Sequence, residues 1–247
     1  MKNICKFEIH PFCYIIALIY IITGTFRPFL WISLLILVHE FGHVIAGIYF
    51  KWNIEKVVMM PMGGITIFKE SLNRPIKEEF IIALTGPLFQ IIFYFLINRY
   101  IDYPWFKSAN YAILLFNMLP IVPLDGSKIL HCIMDILFSY QISHKIIISI
   151  SIYLLCTGAV VCFWMHNLIV YIMFICLTIK VMEEYRTCSL RFQKFLLERY
   201  LYTYRFSKTK KLKQNNINGM YRDYNHLFFV NNSWISERQA LQKYFER

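Results

Sequence analysis

The sequence predicts an all-α polytopic membrane protein with six transmembrane helices, a β-prone loop between the second and third, and a short cytosolic α/β tail. Three observations carry this. Of 247 residues, 57% are hydrophobic and only 17% charged, against about 45–50% apolar and roughly 25% charged in a soluble domain. The apolar residues fall in runs close to the ~20 residues that a helix needs to cross a bilayer. The formal charge of +11 is also divided, with 13 Lys/Arg and 9 Asp/Glu in residues 1–180 but 13 and 6 in residues 181–247. The first part reads as membrane-embedded and the last as cytosolic. This composition excludes a disordered chain, a collagen or a disulfide scaffold, and a basic excess on so apolar a chain points to a membrane rather than to nucleic acid. The seven cysteines form no C-x-x-C pair and read as small hydrophobes.

The apolar runs are 11–25, 28–50, 80–98, 110–138, 145–165 and 167–181, with the fourth long and interrupted. Lys2 and Lys6 precede the first run as in a signal peptide, but no A-x-A-like site follows at Gly24-Thr25-Phe26, so it reads as an uncleaved anchor. With both termini cytosolic, the inner segments hold Lys2, Lys6, Lys51, Lys56, Lys69, Arg74, Lys77, Lys128, Lys145 and Lys180, and the outer ones only Arg27, Arg99 and Lys107. That asymmetry satisfies the positive-inside rule. Between spans two and three, residues 57–68 are apolar but too short to cross, and Gly63-Gly64 separates two β-prone runs. An interfacial loop and a re-entrant β-hairpin lining a protein cavity fit this spacing equally.

Beyond span six, residues 186–205 place Leu190, Phe195, Leu196, Leu197, Leu201 and Tyr204 among basic residues, as in a helix lying on an anionic leaflet. Residues 206–220 read as a polar basic linker. The tail 221–247, with strand-like His226–Val230 and a helix capped by Ser236, is too small to hold a core alone and should pack on something else.

The chemistry is concentrated in span two, which reads His39-Glu40-Phe41-Gly42-His43. In this H-E-x-x-H, two histidines one helical turn apart share a face and can reach one metal. Glu40, next round the helix, can take a proton from the water that the metal activates. An ionisable group at mid-membrane costs about 2.5–3.5 kcal/mol on insertion, so three within five residues point to a metal site more than to histidines hydrogen-bonded across helices. A catalytic zinc usually has three protein ligands and one open position. The candidates within spans are Asp125, Asp135 and His131. Pro120, Pro123 and Gly126 break span four around Asp125 and let its carboxylate point into a protein cavity. Counted from the outer ends, Asp125 and His39 differ in depth by roughly 6 Å at helical rise. Asp135 and His131 lie nearer the cytosol, as snorkelling or capping groups would. Asp125 could also serve simply as an N-cap. His10, His144, His166 and His226 have no partner at ligand spacing.

A membrane-embedded H-E-x-x-H together with Asn117-x-x-Pro120-x-x-x-Leu124-Asp125-Gly126 resembles the site-2 protease family of intramembrane zinc metalloproteases. Pro61-Met62-Gly63-Gly64, Asn73–Phe80 and Ala83-Leu84-Thr85-Gly86-Pro87 are similar to its compact bacterial sporulation branch. The resemblance covers residues 10–205. It implies one zinc per chain on His39, His43 and Asp125, Glu40 as catalytic base, and Asn117, Pro120, Gly63 and Gly64 as substrate-handling positions. It implies too that 57–68 is a re-entrant hairpin pairing with unwound substrate. The expected substrate is a membrane-associated protein, a sigma-factor precursor that loses its pro-segment. The expected setting is the outer forespore membrane facing the mother cell, with small inhibitory membrane partners. Two departures are Thr85, where Ala is commoner, and the tail, which reads as a shortened CBS-like module. A divalent-metal transporter or sensor using the same His/Asp ligands is the alternative, and a membrane scaffold working through the basic tail a third. The transporter leaves Glu40 with no necessary role.

Overall fold

The computed structural model describes residues 6–9, 11–60, 63–69, 72–100, 103–165, 168–212, 217–230 and 233–246. The expected turn residues Pro61 and Met62, the histidines His10 and His166, and residues 213–216 of the expected linker lie outside them. In chain order the elements are β1 (Lys6–Ile9), α1 (Pro11–Ile22), α2 (Phe26–Tyr49), β2 (Ile54–Met60), β3 (Gly63–Phe68), α3 (Ile76–Ile97), α4 (Pro104–Asn117), α5 (Asp125–Leu137), α6 (Tyr140–Met165), α7 (Leu168–Leu201), β4 (Lys208–Leu212), β5 (Tyr224–Val230), β6 (Ser233–Ser236) and α8 (Glu237–Phe245). They form two compact units: residues 1–70, 80–119 and 124–126, and residues 71–79, 120–123 and 127–247.

Among the described residues, three helices are long and apolar enough to cross a membrane, namely Phe26–Tyr49, Ile76–Ile97 and Tyr140–Val160. They answer to spans two, three and five of the six expected. The first expected span is a helix of only 12 residues. The fourth is two helices, of 14 and 13 residues, because Pro120 and Pro123 have no backbone N–H to continue a ladder. The sixth begins a 34-residue helix that runs on to Leu201.

In the first unit, Pro28 falls in the opening turn of α2 (Thr25 is the N-cap), where the backbone N–H has no helical acceptor in any case. At the far end, Phe50 caps the helix and Lys51 takes a left-handed φ of 57° that stops it. The chain then turns into an antiparallel pair, with Val57 opposite Thr66 and Met59 opposite Gly64. Gly63 and Gly64 are therefore the first residues of β3 and not the turn itself. A third strand was not expected: β1 pairs in parallel with β2, Lys6 opposite Lys56 and Ile9 opposite Met59. This leaves β3 at one edge of the sheet. Leu35, Tyr94 and Phe106, from α2, α3 and α4, form the unit's apolar core.

In the second unit the tail does not stand alone. Tyr140, Phe192, Phe195 and Leu196 of α6 and α7 share one core with Ile217, Met220, Phe228, Ala240 and Leu241. The Tyr140 and Phe195 rings stack with centroids 4.3 Å apart. Residues 206–220, expected as a linker, supply β4, which pairs in parallel with β5, and the short 3-10 turn Ile217–Gly219. Residues 186–205, expected to lie on a leaflet, are the second half of α7. Leu190 and Leu197 remain exposed there, but Arg199 is buried. Its guanidinium donates to Asn73 Oδ1 at 2.6 Å, to the Tyr224 carbonyl at 2.8 Å and to Glu237 at 3.0 Å. Ser236 and Gln239 form a reciprocal capping box at the start of α8.

This tail carries a pH dependence of its own. Neutral His226 donates from Nδ1 to Glu237 and accepts the Tyr221 N–H at Nε2, both at 2.9 Å. Burial holds its pKa below the ordinary histidine value, although Glu237 pulls the other way. Burial would raise the Glu237 pKa, but His226 and Arg199 hold it below the usual carboxylate range. Below about pH 6.5 the unfolded tail therefore takes up a proton that folded His226 refuses, and in a lower window Glu237 adds a second loss. Both signs agree. Protection factors over 217–246, which divide out the intrinsic slowing of amide exchange at lower pH, should be smaller at pH 5.5 than at pH 7.5; equal protection would remove His226 as the cause.

Candidate active site

Helix α2 sets His39 and His43 on one face, 3% and 4% exposed, with their rings 4.9 Å apart. The break before α5 brings in Asp125, which is 5% exposed. Asp125 Oδ2 lies 2.9 Å from His39 Nε2 and 3.0 Å from His43 Nε2, and the two Nε2 atoms are 3.2 Å apart. The three ligand atoms all fall within 4.8 Å of one another, as a metal-binding group requires.

The outer ring nitrogens explain why these atoms converge. His39 Nδ1 lies 3.0 Å from Gln90 Oε1, and Gln90 Nε2 donates to the carbonyl and the side-chain oxygen of Asn110 at 3.1 and 3.0 Å. That fixes the carbonyl end of the Gln90 amide towards His39, so Nδ1 is the protonated nitrogen. His43 Nδ1 likewise donates to the Ile82 carbonyl at 2.7 Å. Both Nε2 atoms therefore present lone pairs to each other and to a carboxylate. Three such acceptors at contact distance repel unless a cation sits among them, and two imidazoles with one carboxylate suit zinc.

Glycines make the room. A Cβ on Gly86 would come 2.9 Å from His39 Nε2 and closer still to His43 Nε2, so the backbone of α3 can lie against both rings only without a side chain. A Cβ on Gly42 would stand 2.5 Å from the Thr85 carbonyl, which brings α2 against α3. Glu40 is 7% exposed and does not pair with the histidines. It accepts a hydrogen bond from Thr66 Oγ1 at 2.7 Å, and its side chain fills the space that a Cβ on Gly64 would need.

The structure thus gathers His39, Glu40, His43, Asp125 and Gly64. Gly63 pairs with Met60 at the start of β3. Asn117 closes α4, and Pro120, whose carbonyl accepts from Ser151 Oγ at 3.5 Å, opens the unwound stretch before Asp125. The rival ligand candidates are otherwise engaged. Asp135 is fully buried, accepts from Ser143 and pairs with Arg222 at 3.3 Å, with His131 Nε2 at 3.7 Å. They belong to an internal ion network and are not snorkelling groups. Gln90, Asn110 and Thr66 were missed in the sequence. A lone Gln in the apolar run Leu88-Phe89-Gln90-Ile91 was a signal of the same kind as the histidines. Thr85, where Ala is commoner, donates to the Ile82 carbonyl at 2.7 Å, the same oxygen that His43 uses.

Comparison with known proteins finds likenesses in sequence and in fold. The model of peptidase family M50 matches residues 28–103, which include the H-E-x-x-H, Gly64 and Gly86. Stage IV sporulation protein FB of Bacillus subtilis is 33% identical over 222 residues, covering 85% of this chain and 75% of that protein. Zinc metalloprotease MJ0392 of Methanocaldococcus jannaschii is 27% identical over 134 residues, 50% of this chain and 39% of that protein. In fold, the chain is similar to the solved site-2 protease from Methanocaldococcus jannaschii. The TM-score is 0.56 and the identity 23%, over 72% of this chain and 89% of that one.

Proposed function

We propose, since the chain belongs to peptidase family M50, the site-2 proteases, that it removes the pro-segment of a membrane-associated sigma-factor precursor during sporulation. As a member it is an intramembrane metalloprotease. The precursor substrate and the sporulation setting are inferred from the likeness to stage IV sporulation protein FB. One observation carries the site: two imidazole Nε2 atoms and one carboxylate converge with Glu40 beside them in the same helix.

In this reading His39, His43 and Asp125 hold one zinc ion per chain. Bound there, zinc supplies Lewis acidity, which polarises a peptide carbonyl and lowers the pKa of water. Glu40 takes the proton from the attacking water and returns it to the leaving amine nitrogen. A helical substrate keeps its carbonyls in i→i−4 bonds and must unwind before attack. The unwound stretch holding Pro120, with Asn117 before it, provides a place for this. The edge of β3, where Gly63 and Gly64 lie, offers the opened strand a backbone to pair with. β1 forms the opposite edge of the sheet, and β3 is the edge strand beside Glu40.

The rest of the reading follows from charge and composition. Six spans with cytosolic termini and a re-entrant hairpin fit the basic inner loops. A location in the outer forespore membrane, facing the mother cell, and restraint by small inhibitory membrane partners come with the sporulation likeness. Exposed Leu190 and Leu197 beside Arg186 and Lys194 suit an anionic leaflet. A shortened CBS-like module describes the strand–strand–helix tail.

Co-expression with membrane-anchored sigma-factor precursors tests the function. Wild type should yield the shortened product on a gel, and Glu40→Gln should yield none while keeping its zinc. Cleavage by Glu40→Gln, or no product from wild type with any precursor, sinks the reading; zinc flux into vesicles that survives Glu40→Gln would favour a transporter.

A further inference from the structure

We infer that Thr66 is a positioning residue for the base, holding the Glu40 carboxylate in the one orientation from which it can take and return the proton. This rests on the protease reading above. The geometry lies in the alternation of β3 against α2. Gly64 faces Glu40 and leaves room for its side chain, Thr66 Oγ1 donates to Glu40 Oε2 at 2.7 Å, and the Phe68 ring rests where a Cβ on Gly47 would stand 2.6 Å away. Every second residue of the strand meets the same helix face, since Glu40 and Gly47 are seven residues apart.

Three features make the hydroxyl more than a strand residue. Neighbouring Ile67 is β-branched hydrocarbon in the same strand, and valine would serve Thr66's backbone as well. Among the described residues no cation pairs with the Glu40 carboxylate, so its orientation depends on this donor. The division of labour is also complete. Oε2 is held by Thr66, which keeps its own proton throughout. Oε1 remains to receive the proton as the water O–H bond breaks, and to release it to the amine nitrogen as the peptide C–N bond breaks. Because β3 is an edge strand and, in the protease reading, the one that pairs with the opened chain, the same element would receive the substrate and aim the base.

The test uses the purified, zinc-loaded full chain in detergent with a membrane-anchored sigma-factor precursor. Wild type, Thr66→Val, Thr66→Ser and Glu40→Gln are compared for kcat, KM and bound zinc. Thr66→Val should keep its zinc and KM while kcat falls about 10- to 100-fold, the loss expected on removing one hydrogen bond to a charged group. Thr66→Ser, which restores the hydroxyl, should return to within about threefold of wild type. Wild-type kcat in Thr66→Val, an equal fall in Thr66→Ser, or loss of zinc from Thr66→Val would each overturn the inference. A wild type no more active than Glu40→Gln would remove the protease reading itself, and this inference with it.

Discussion

Asp125→Ala leaves the purified chain unable to hold zinc, and cleavage stops with it. Asp125 brings the only formal negative charge to the three converging ligand atoms, and it is 5% exposed. Its removal leaves two neutral imidazoles and a space that water must fill. Protein-bound zinc sites are worth about 10–16 kcal/mol, so losing one ligand of three should weaken the site by roughly 3–5 kcal/mol, a factor of about 10²–10⁴. His43→Ala should do the same, because the site loses its Nε2 ligand, while the Ile82 carbonyl keeps only the Thr85 hydroxyl as a side-chain donor. Glu40→Gln separates the two roles: it should keep stoichiometric zinc and lose cleavage. Metal analysis after a chelator wash decides the matter. If Asp125→Ala keeps its zinc through that wash, Asp125 is not a ligand and the N-cap reading of its carboxylate returns.

What the sequence disclosed and what it withheld divide along physical lines. The H-E-x-x-H was legible because helical periodicity is local: residues four apart must share a face. Asp125 was legible because prolines 120 and 123 announce a break wherever the fold puts them. Gln90 and Thr66 were withheld because their roles depend on which helix lies beside which strand. A buried glutamine in an apolar run announces a partner without naming it; Asn110 is 20 residues away and His39 51. Strand β1 was missed because its four residues, with Lys6 and Glu8 alternating with Phe7 and Ile9, are too short to stand out. Its pairing with β2 spans some fifty residues of chain. The inward contacts of the second half of α7 were withheld for a different reason. Among its basic residues, Arg199 is buried and faces Glu237, a partner 38 residues away that no local pattern predicts. The short helices behind expected spans one and four show the same limit from the other side, since hydropathy counts apolar residues but does not say where the backbone stops being helical.

The ion network in the second unit sets the other large expected effect. Arg222 is 3% exposed, and its guanidinium meets Glu79 at 2.5 Å and Asp135 at 3.3 Å while Nε donates to the Arg74 carbonyl at 3.0 Å. Burial alone would push the proton off, but the two carboxylates overturn this and raise the pKa above the ordinary arginine value. The next residue continues the same seam: Asp223, at a left-handed φ of 60°, accepts the Ile76 N–H at the start of α3. Arg222→Met fills the space but strands Asp135, which is fully buried, beside a carboxylate with which it no longer shares a cation. Breaking a buried pair from one side costs about 3–5 kcal/mol, which in the full-length protein should appear as much faster hydrogen exchange over 217–246. Arg222→Lys should recover only part of the loss, because one ammonium cannot span both carboxylates and the Arg74 carbonyl. Adding Asp135→Asn to Arg222→Met should restore some protection, since it removes the stranded charge. Protection in Arg222→Met equal to wild type would mean that the apolar core around Phe195 and Phe228 holds the tail without the ion network.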